Sequence, residues 1–247
     1  MSKAIIVPDL AYTSRAGRRG GRSNGYKELL AKTKYLQYRN DADGHIPQQA
    51  GMERWVDCGM GHNYREIAQS ADRLGSDKVL AWTWVVSPAP DLMALVPETE
   101  REGLLKGITE EIVEAYYEAR GMDTPEFSYV LHDRLTKPDA TTGERWHQFH
   151  THVILPGTVP QLDGPRVPFY NRSSHGHVKL LKNISDEKFA HALDSAIGPH
   201  WRDLRPEEPK VAPALDMVME ETPPPAPAEG LSELDRWFPR RPELEML

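Results

Sequence analysis

Phe127-Ser128-Tyr129-Val130-Leu131-His132 and Phe149-His150-Thr151-His152-Val153-Ile154-Leu155 are the two stretches on which the reading of this chain turns. Both are short, rich in β-branched and aromatic residues, and bounded by polar or proline-containing segments, as strands are. Joined by the polar segment between them, they predict a hairpin-like unit over 127–155. A third strand is predicted over 78–86, where Val79, Trp82, Trp84, Val85 and Val86 run up to Ser87-Pro88. Around these lie helical patterns. Pro97 to Arg120 has a proline and three glutamates at its start, apolar residues at helical spacing from Leu104 to Tyr116, and Gly121 as a stop. Asn63 to Leu74 and Asp186 to Ile197 read as further helices. The mixed order predicts an α+β fold with a central, mainly antiparallel sheet covered by helices.

Side chains alternate along a strand, so His150 and His152 share one face, about 7 Å apart, while Phe149, Thr151 and Val153 face the other way. If the two stretches pair as a hairpin, His132 joins them. Three imidazoles on neighbouring strands can hold a divalent metal and leave coordination positions open for substrate and water. Asp133 is the expected acceptor fixing a ring tautomer. A second pair, His175 and His177, lies in the polar stretch Asn171-Arg172-Ser173-Ser174-His175-Gly176-His177 and reads as a phosphate or partner contact rather than a ligand pair.

Charge divides the chain. Its 247 residues carry a formal −7. Residues 1–40 hold nine basic against two acidic side chains, or +7, whereas 41–204 stand at −9 and 205–247 at −5. An Arg- and Gly-rich start with Arg15, Arg18, Arg19 and Arg22 is a candidate phosphate-contacting arm, because polyanion binding follows local cation density. A lone cysteine, Cys58, excludes an intramolecular disulfide and a thiolate-rich zinc site. The longest apolar run is far below the roughly 20 residues a bilayer requires, and no secretory signal is evident. The chain is therefore expected in the cytoplasm, without membrane insertion. Prolines recur from 206 to 227, so 1–204 is expected to be the folded domain, 205–230 a Pro-rich linker, and 231–247 a short helical segment.

Lys34-Tyr35-Leu36-Gln37-Tyr38-Arg39 follows a helical segment near Tyr26 to Lys32. A phenol is a poor nucleophile while protonated, but a neighbouring cation or a polarised substrate activates it. Tyr35 and Tyr38 are the candidates, with Lys34 and Arg39 beside them. Trp82 and Trp84, on a central strand, read as core.

Tyr35 in KYLQYR, His132 in YVLHD, and His150 and His152 in FHTHVILPG stand in an order that resembles the relaxase branch of the HUH single-strand DNA endonucleases. The resemblance spans roughly residues 30–200. Thr151 stands between the paired histidines where that family usually has a bulky hydrophobe, and 133–149 is longer than in many of its members. The resemblance implies a relaxase-like sheet related to the ferredoxin-like fold. It implies a divalent metal ion on His132, His150 and His152, Mn²⁺ or Mg²⁺ first and Zn²⁺, Ni²⁺ or Co²⁺ as alternatives. It also implies attack by Tyr35, with Tyr38 as the alternative, on single-stranded DNA at an origin of transfer or replication. Lys34, Arg39, Asn171, Arg172 and the arginine arm would contact that strand, and Trp55, Trp82, Trp84 and Trp146 would be its candidates for base stacking. Relaxosome accessory proteins and a coupling protein are the further partners implied. Two other readings compete: a rolling-circle replication initiator using the same chemistry, and a non-catalytic DNA-binding accessory protein. The histidine-triad nucleotide hydrolases fit poorly, because Ile154 stands where their next alternating histidine would be needed.

Overall fold

A computed structural model describes residues 6–16, 22–40, 44–45, 54–138, 143 and 145–204. The expected linker and C-terminal segment, 205–247, lie outside these residues, as do Arg18 and Arg19.

Five strands form one antiparallel sheet. They are β1 (Ile6–Ser14), β4 (Trp55–Cys58), β5 (Val79–Pro88), β6 (Phe127–Leu135) and β7 (His147–Pro156), in the order β1-β5-β7-β6-β4. Two small ladders accompany it: β2 (Arg39–Asn40) with β3 (Gly44–His45), and β8 (Thr158–Gln161) with β9 (Gly164–Pro168). The helices are α1 (Arg22–Tyr38), α2 (Tyr64–Leu74), α3 (Pro90–Leu95), α4 (Glu98–Glu118), α5 (His177–Ile197) and α6 (Trp201–Leu204). The predicted α+β architecture with a mainly antiparallel sheet is the one observed.

The register sorts side chains onto two faces. Trp84 opposes Val153, and Val153 opposes Tyr129, so these three share one face. They enter the larger core with Leu105, Ile112, Tyr116 and Tyr117 of α4 and Phe189 and Leu193 of α5. Trp55, Val130, Ile154 and Ala81 share the opposite face and pack under Leu29 and Leu36 of α1 and Ile67 and Ala71 of α2. Full burial of a leucine side chain contributes about 1.5–3 kcal/mol, so Leu29 and Leu36, 0% and 1% exposed, are the main anchors of α1. Gly25 lets that helix approach β1. A Cβ there would lie 2.1 Å from the Ser14 carbonyl oxygen.

Several boundaries differ from the expectation. The basic start is not simply an arm: residues 6–14 are an edge strand paired with β5, where Pro8 is tolerated, and 22–38 are a helix. Tyr35 and Tyr38 lie on that helix, not after it. α5 begins at His177, nine residues before the predicted start, because Gly176 takes the left-handed conformation (φ 73°) and turns the chain into the helix. At α2 the prediction is close: Asn63 is the N-cap, its side-chain oxygen accepting from the Arg65 and Glu66 amides at 3.0 and 3.1 Å.

A candidate metal centre beside a tyrosine-bearing helix

β6 and β7 pair so that His132 sits directly opposite His150, and Val130 opposite His152. The antiparallel ladder thus brings three imidazoles to one place on the face covered by α1 and α2. Their ring centroids are 5.6 Å (His132–His150), 4.9 Å (His132–His152) and 5.1 Å (His150–His152) apart, and one nitrogen from each ring lies within 4.8 Å of the others. The expected convergence is present.

Two of the rings are oriented by main-chain carbonyls. His132 Nε2 lies 2.8 Å from the Leu36 oxygen, and His150 Nδ1 lies 3.0 Å from the Gln148 oxygen. A carbonyl only accepts, so each of these nitrogens carries its proton, and each ring keeps its lone pair on the other nitrogen. His152 is held neutral well below the usual imidazole range. Burial is the main cause, followed by the charges that His150, His132, Lys32 and Arg134 would present to it. Three converging imidazoles on a rigid strand pair, two of them oriented by carbonyls and the third held neutral by burial, fit a divalent metal.

The same contacts tie the cluster to α1. Leu36, whose carbonyl accepts from His132, is flanked by Tyr35 and Gln37. Arg54 fastens the end of the helix. Its guanidinium donates to the Arg39 carbonyl at 2.7 Å, to Gln37 at 3.5 Å, and to Leu131 on β6 at 2.7 Å. Tyr35 is 37% exposed, with the Arg39 guanidinium 5.9 Å from its ring centroid. Tyr38 is more enclosed and meets Tyr64 edge-on at 6.3 Å, and Lys34 lies 6.0 Å from the Tyr64 ring. Lys32, one turn ahead of Leu36, donates to Thr83 Oγ1 at 3.0 Å.

The structure places other expected residues elsewhere. Asp133 follows His132 on a strand and so faces the opposite side, where it pairs with His147 Nδ1 at 2.6 Å; it fixes no ring of the cluster. The Arg15 guanidinium is engaged in the fold by Asp72 and the Ser76 carbonyl. The oxygen of Asn171 accepts from Tyr116 at 2.5 Å and Arg120 at 3.1 Å under α4, across the sheet from the histidines, and its neighbour Arg172 stacks on Tyr170 there. The Arg22 helix position is described without its side chain. Trp55, Trp82 and Trp84 are buried. Cys58 is no competing nucleophile, since burial and then Glu110, Asp57 and Glu114 push its thiol up to about 11.

Sequence reasoning missed Arg54, Lys32 and Arg134. Arg134 had a signal: two residues after His132 on a strand, it shares the histidine face. Lys32 had a weaker one, its four-residue spacing to Leu36 on a helix. Arg54 had none, because only the tertiary packing brings the loop before β4 to the end of α1.

No protein-family profile matches the chain, and no curated protein matches it. Among solved structures it is similar to the conjugative relaxase TrwC in complex with oriT DNA. The metal-bound form has 13% identity and a TM-score of 0.46, covering 76% of this chain and 70% of that one. The metal-free form gives the same values. A TrwC complex with a 27-mer DNA comprising the recognition hairpin and the cleavage site has 13% identity and a TM-score of 0.45, covering 76% and 69%.

Proposed function

We propose that this chain is a metal-dependent endonuclease of the relaxase type. It would nick single-stranded DNA at an origin of transfer through a covalent phosphotyrosine. The observation that carries this reading is the convergence of His132, His150 and His152 against the helix that bears Tyr35 and Tyr38. A nucleophile-bearing helix hydrogen-bonded to a three-imidazole cradle is an arrangement suited to phosphodiester transesterification.

Held by the three histidines, a divalent cation, with Mn²⁺ or Mg²⁺ the first expectation, would supply Lewis-acid polarisation of a non-bridging phosphate oxygen. The chain's own groups do the rest. Tyr35 gives up its phenolic proton, and its oxygen bonds to phosphorus. The bond from phosphorus to the 3′-oxygen breaks, and that oxygen leaves as a hydroxyl once protonated. The product is a free 3′ end and a 5′-phosphate esterified to Tyr35. Because one phosphodiester replaces another, a 3′-hydroxyl can later reverse the step without ATP. Arg39, beside the Tyr35 ring, favours the phenolate, and Lys32, Lys34 and Arg134 favour the phosphate. Tyr35 is the nucleophile of choice because its ring is the more exposed of the two. Arg18, Arg19 and Arg22 remain candidate contacts to the strand, whereas Asn171 and Arg172, across the sheet from the histidines, do not. The protein would work in the cytoplasm, with relaxosome proteins and a coupling protein as partners. Among the described residues, no helix is long and apolar enough to cross a membrane.

The test incubates the full chain with labelled single-stranded oligonucleotides and Mn²⁺ and looks for a denaturation-resistant adduct. Wild type and Tyr38→Phe should form it, and Tyr35→Phe should not. An adduct lost only in Tyr38→Phe reassigns the nucleophile. No adduct with any oligonucleotide, together with no bound metal, removes the nuclease reading.

A further inference from the structure

The β6–β7 hairpin runs on past the histidines. Beyond the last paired residues, Leu135 and His147, the Thr136 amide still donates to the Trp146 carbonyl, and the Trp146 amide donates to Thr136 Oγ1, both at 2.9 Å. The ladder therefore continues one step, and strand alternation sets Trp146 on the same face as Gln148, His150 and His152. Four residues along a strand span about 13 Å. Arg134, opposite Gln148 and bonded to its side chain at 2.8 Å, stands between the indole and the imidazoles.

Trp146 is 42% exposed. The other described tryptophans, Trp55, Trp82, Trp84 and Trp201, are all at or below 5%. Its neighbours on that face are polar or cationic. The one carboxylate of this part of β6, Asp133, is on the other face, paired with His147. Leu135, the exposed aliphatic of β6, is also on that other face, so among the described residues of this hairpin the indole has no exposed aliphatic beside it on its own face. An exposed indole with a guanidinium between it and a phosphate-handling centre matches the way single strands are held: bases stack on aromatics while cations track the backbone.

We propose that the outer end of this hairpin is a stacking platform for single-stranded DNA. Trp146 receives a base flanking the scissile position, and Arg134 meets the backbone between that base and the histidine cluster. This inference rests on the nuclease reading above, and it adds where the strand lies and which side chain holds it.

The experiment measures binding of the full chain to a fluorescent, randomised single-stranded DNA pool, by anisotropy in EDTA, and in parallel the rate of adduct formation with Mn²⁺. Trp146→Ala should weaken binding about 5- to 150-fold, the equivalent of the roughly 1–3 kcal/mol that base–aromatic stacking contributes per base. Trp146→Phe should retain most of the affinity, because a ring survives. Thermal stability and metal content should match wild type in both variants. Unchanged affinity in Trp146→Ala overturns the platform, as does tighter capture of an RNA pool than of DNA, or binding by neither variant nor wild type. Trp146-dependent binding by a wild type that forms no adduct and holds no metal would sustain the platform and sink the nuclease reading instead.

Discussion

Thr151 shows how one side chain satisfies two faces of a sheet. It sits between two site histidines, yet it points into the larger core, fully buried, with its hydroxyl 2.9 Å from that of Thr109 on α4. That pairing explains why a hydroxyl is tolerated where a hydrophobe would be expected. Thr109→Val should therefore cost about 1–3 kcal/mol, by stranding the Thr151 hydroxyl, while the double change Thr109→Val with Thr151→Val should lie closer to wild type; chemical denaturation of the four proteins checks this. His152 provides a pH prediction. Its pKa is lowered in the fold from an ordinary value of 6.5, so the unfolded chain takes up a proton first as pH falls. The stability linked to this group is complete above about pH 6.5 and is lost progressively below it. In EDTA, the midpoint of unfolding should fall on acidification from pH 7 to 5, and His152→Gln should flatten that slope. At this scale the residue types and their alternation were readable from sequence. The Leu36 carbonyl that orients His132 was not, because a hydrogen-bond partner 96 residues away leaves no local signal.

α1 is the element on which the proposed chemistry depends, and its position has three physical causes. Leu29 and Leu36 bury against the sheet, Gly25 permits close approach to β1, and Arg54 bridges the carbonyls of Gln37, in the last turn, and Arg39, just past the helix, to β6. Hydrogen bonds from a charged donor contribute about 1.5–3 kcal/mol. Arg54→Ala should lower stability within that range and slow adduct formation more than it weakens metal binding, measured by metal titration alongside a single-turnover assay. Equal losses in both would show that Arg54 supports the whole domain and has no special bearing on the tyrosine helix. Strands β5, β6 and β7 and helices α2 and α4 were legible because their apolar periodicity and end signals agree. β1 and α1 were harder to read. β1 is an edge strand containing a proline, and α1 has little polar–apolar contrast between its faces, since lysines and tyrosines interrupt its apolar positions.

At the scale of the whole domain, the charges next to the histidines differ from the net charge. The exposed glutamates Glu111, Glu114 and Glu118 are on α4, over the Trp84 face, and Lys32 and Arg134 act on His152 on the other. A net charge of −7 therefore does not describe the surface the substrate would meet. Binding of single-stranded DNA should weaken steeply with salt, with a log–log slope of about −0.7 per phosphate neutralised. Replacing Glu111, Glu114 and Glu118 with glutamine should leave that slope within error, and a marked change would place the strand on the wrong face. The histidine spacing, the strand character around it and the basic start were written in the local sequence, because periodicity and composition act over a few residues. Which imidazoles converge, which cations reach them, and which tryptophan stays exposed follow from the register of β6 on β7 and the packing of α1 and α4. Those are contacts between residues tens of positions apart, settled when the two faces of the sheet bury their apolar side chains together.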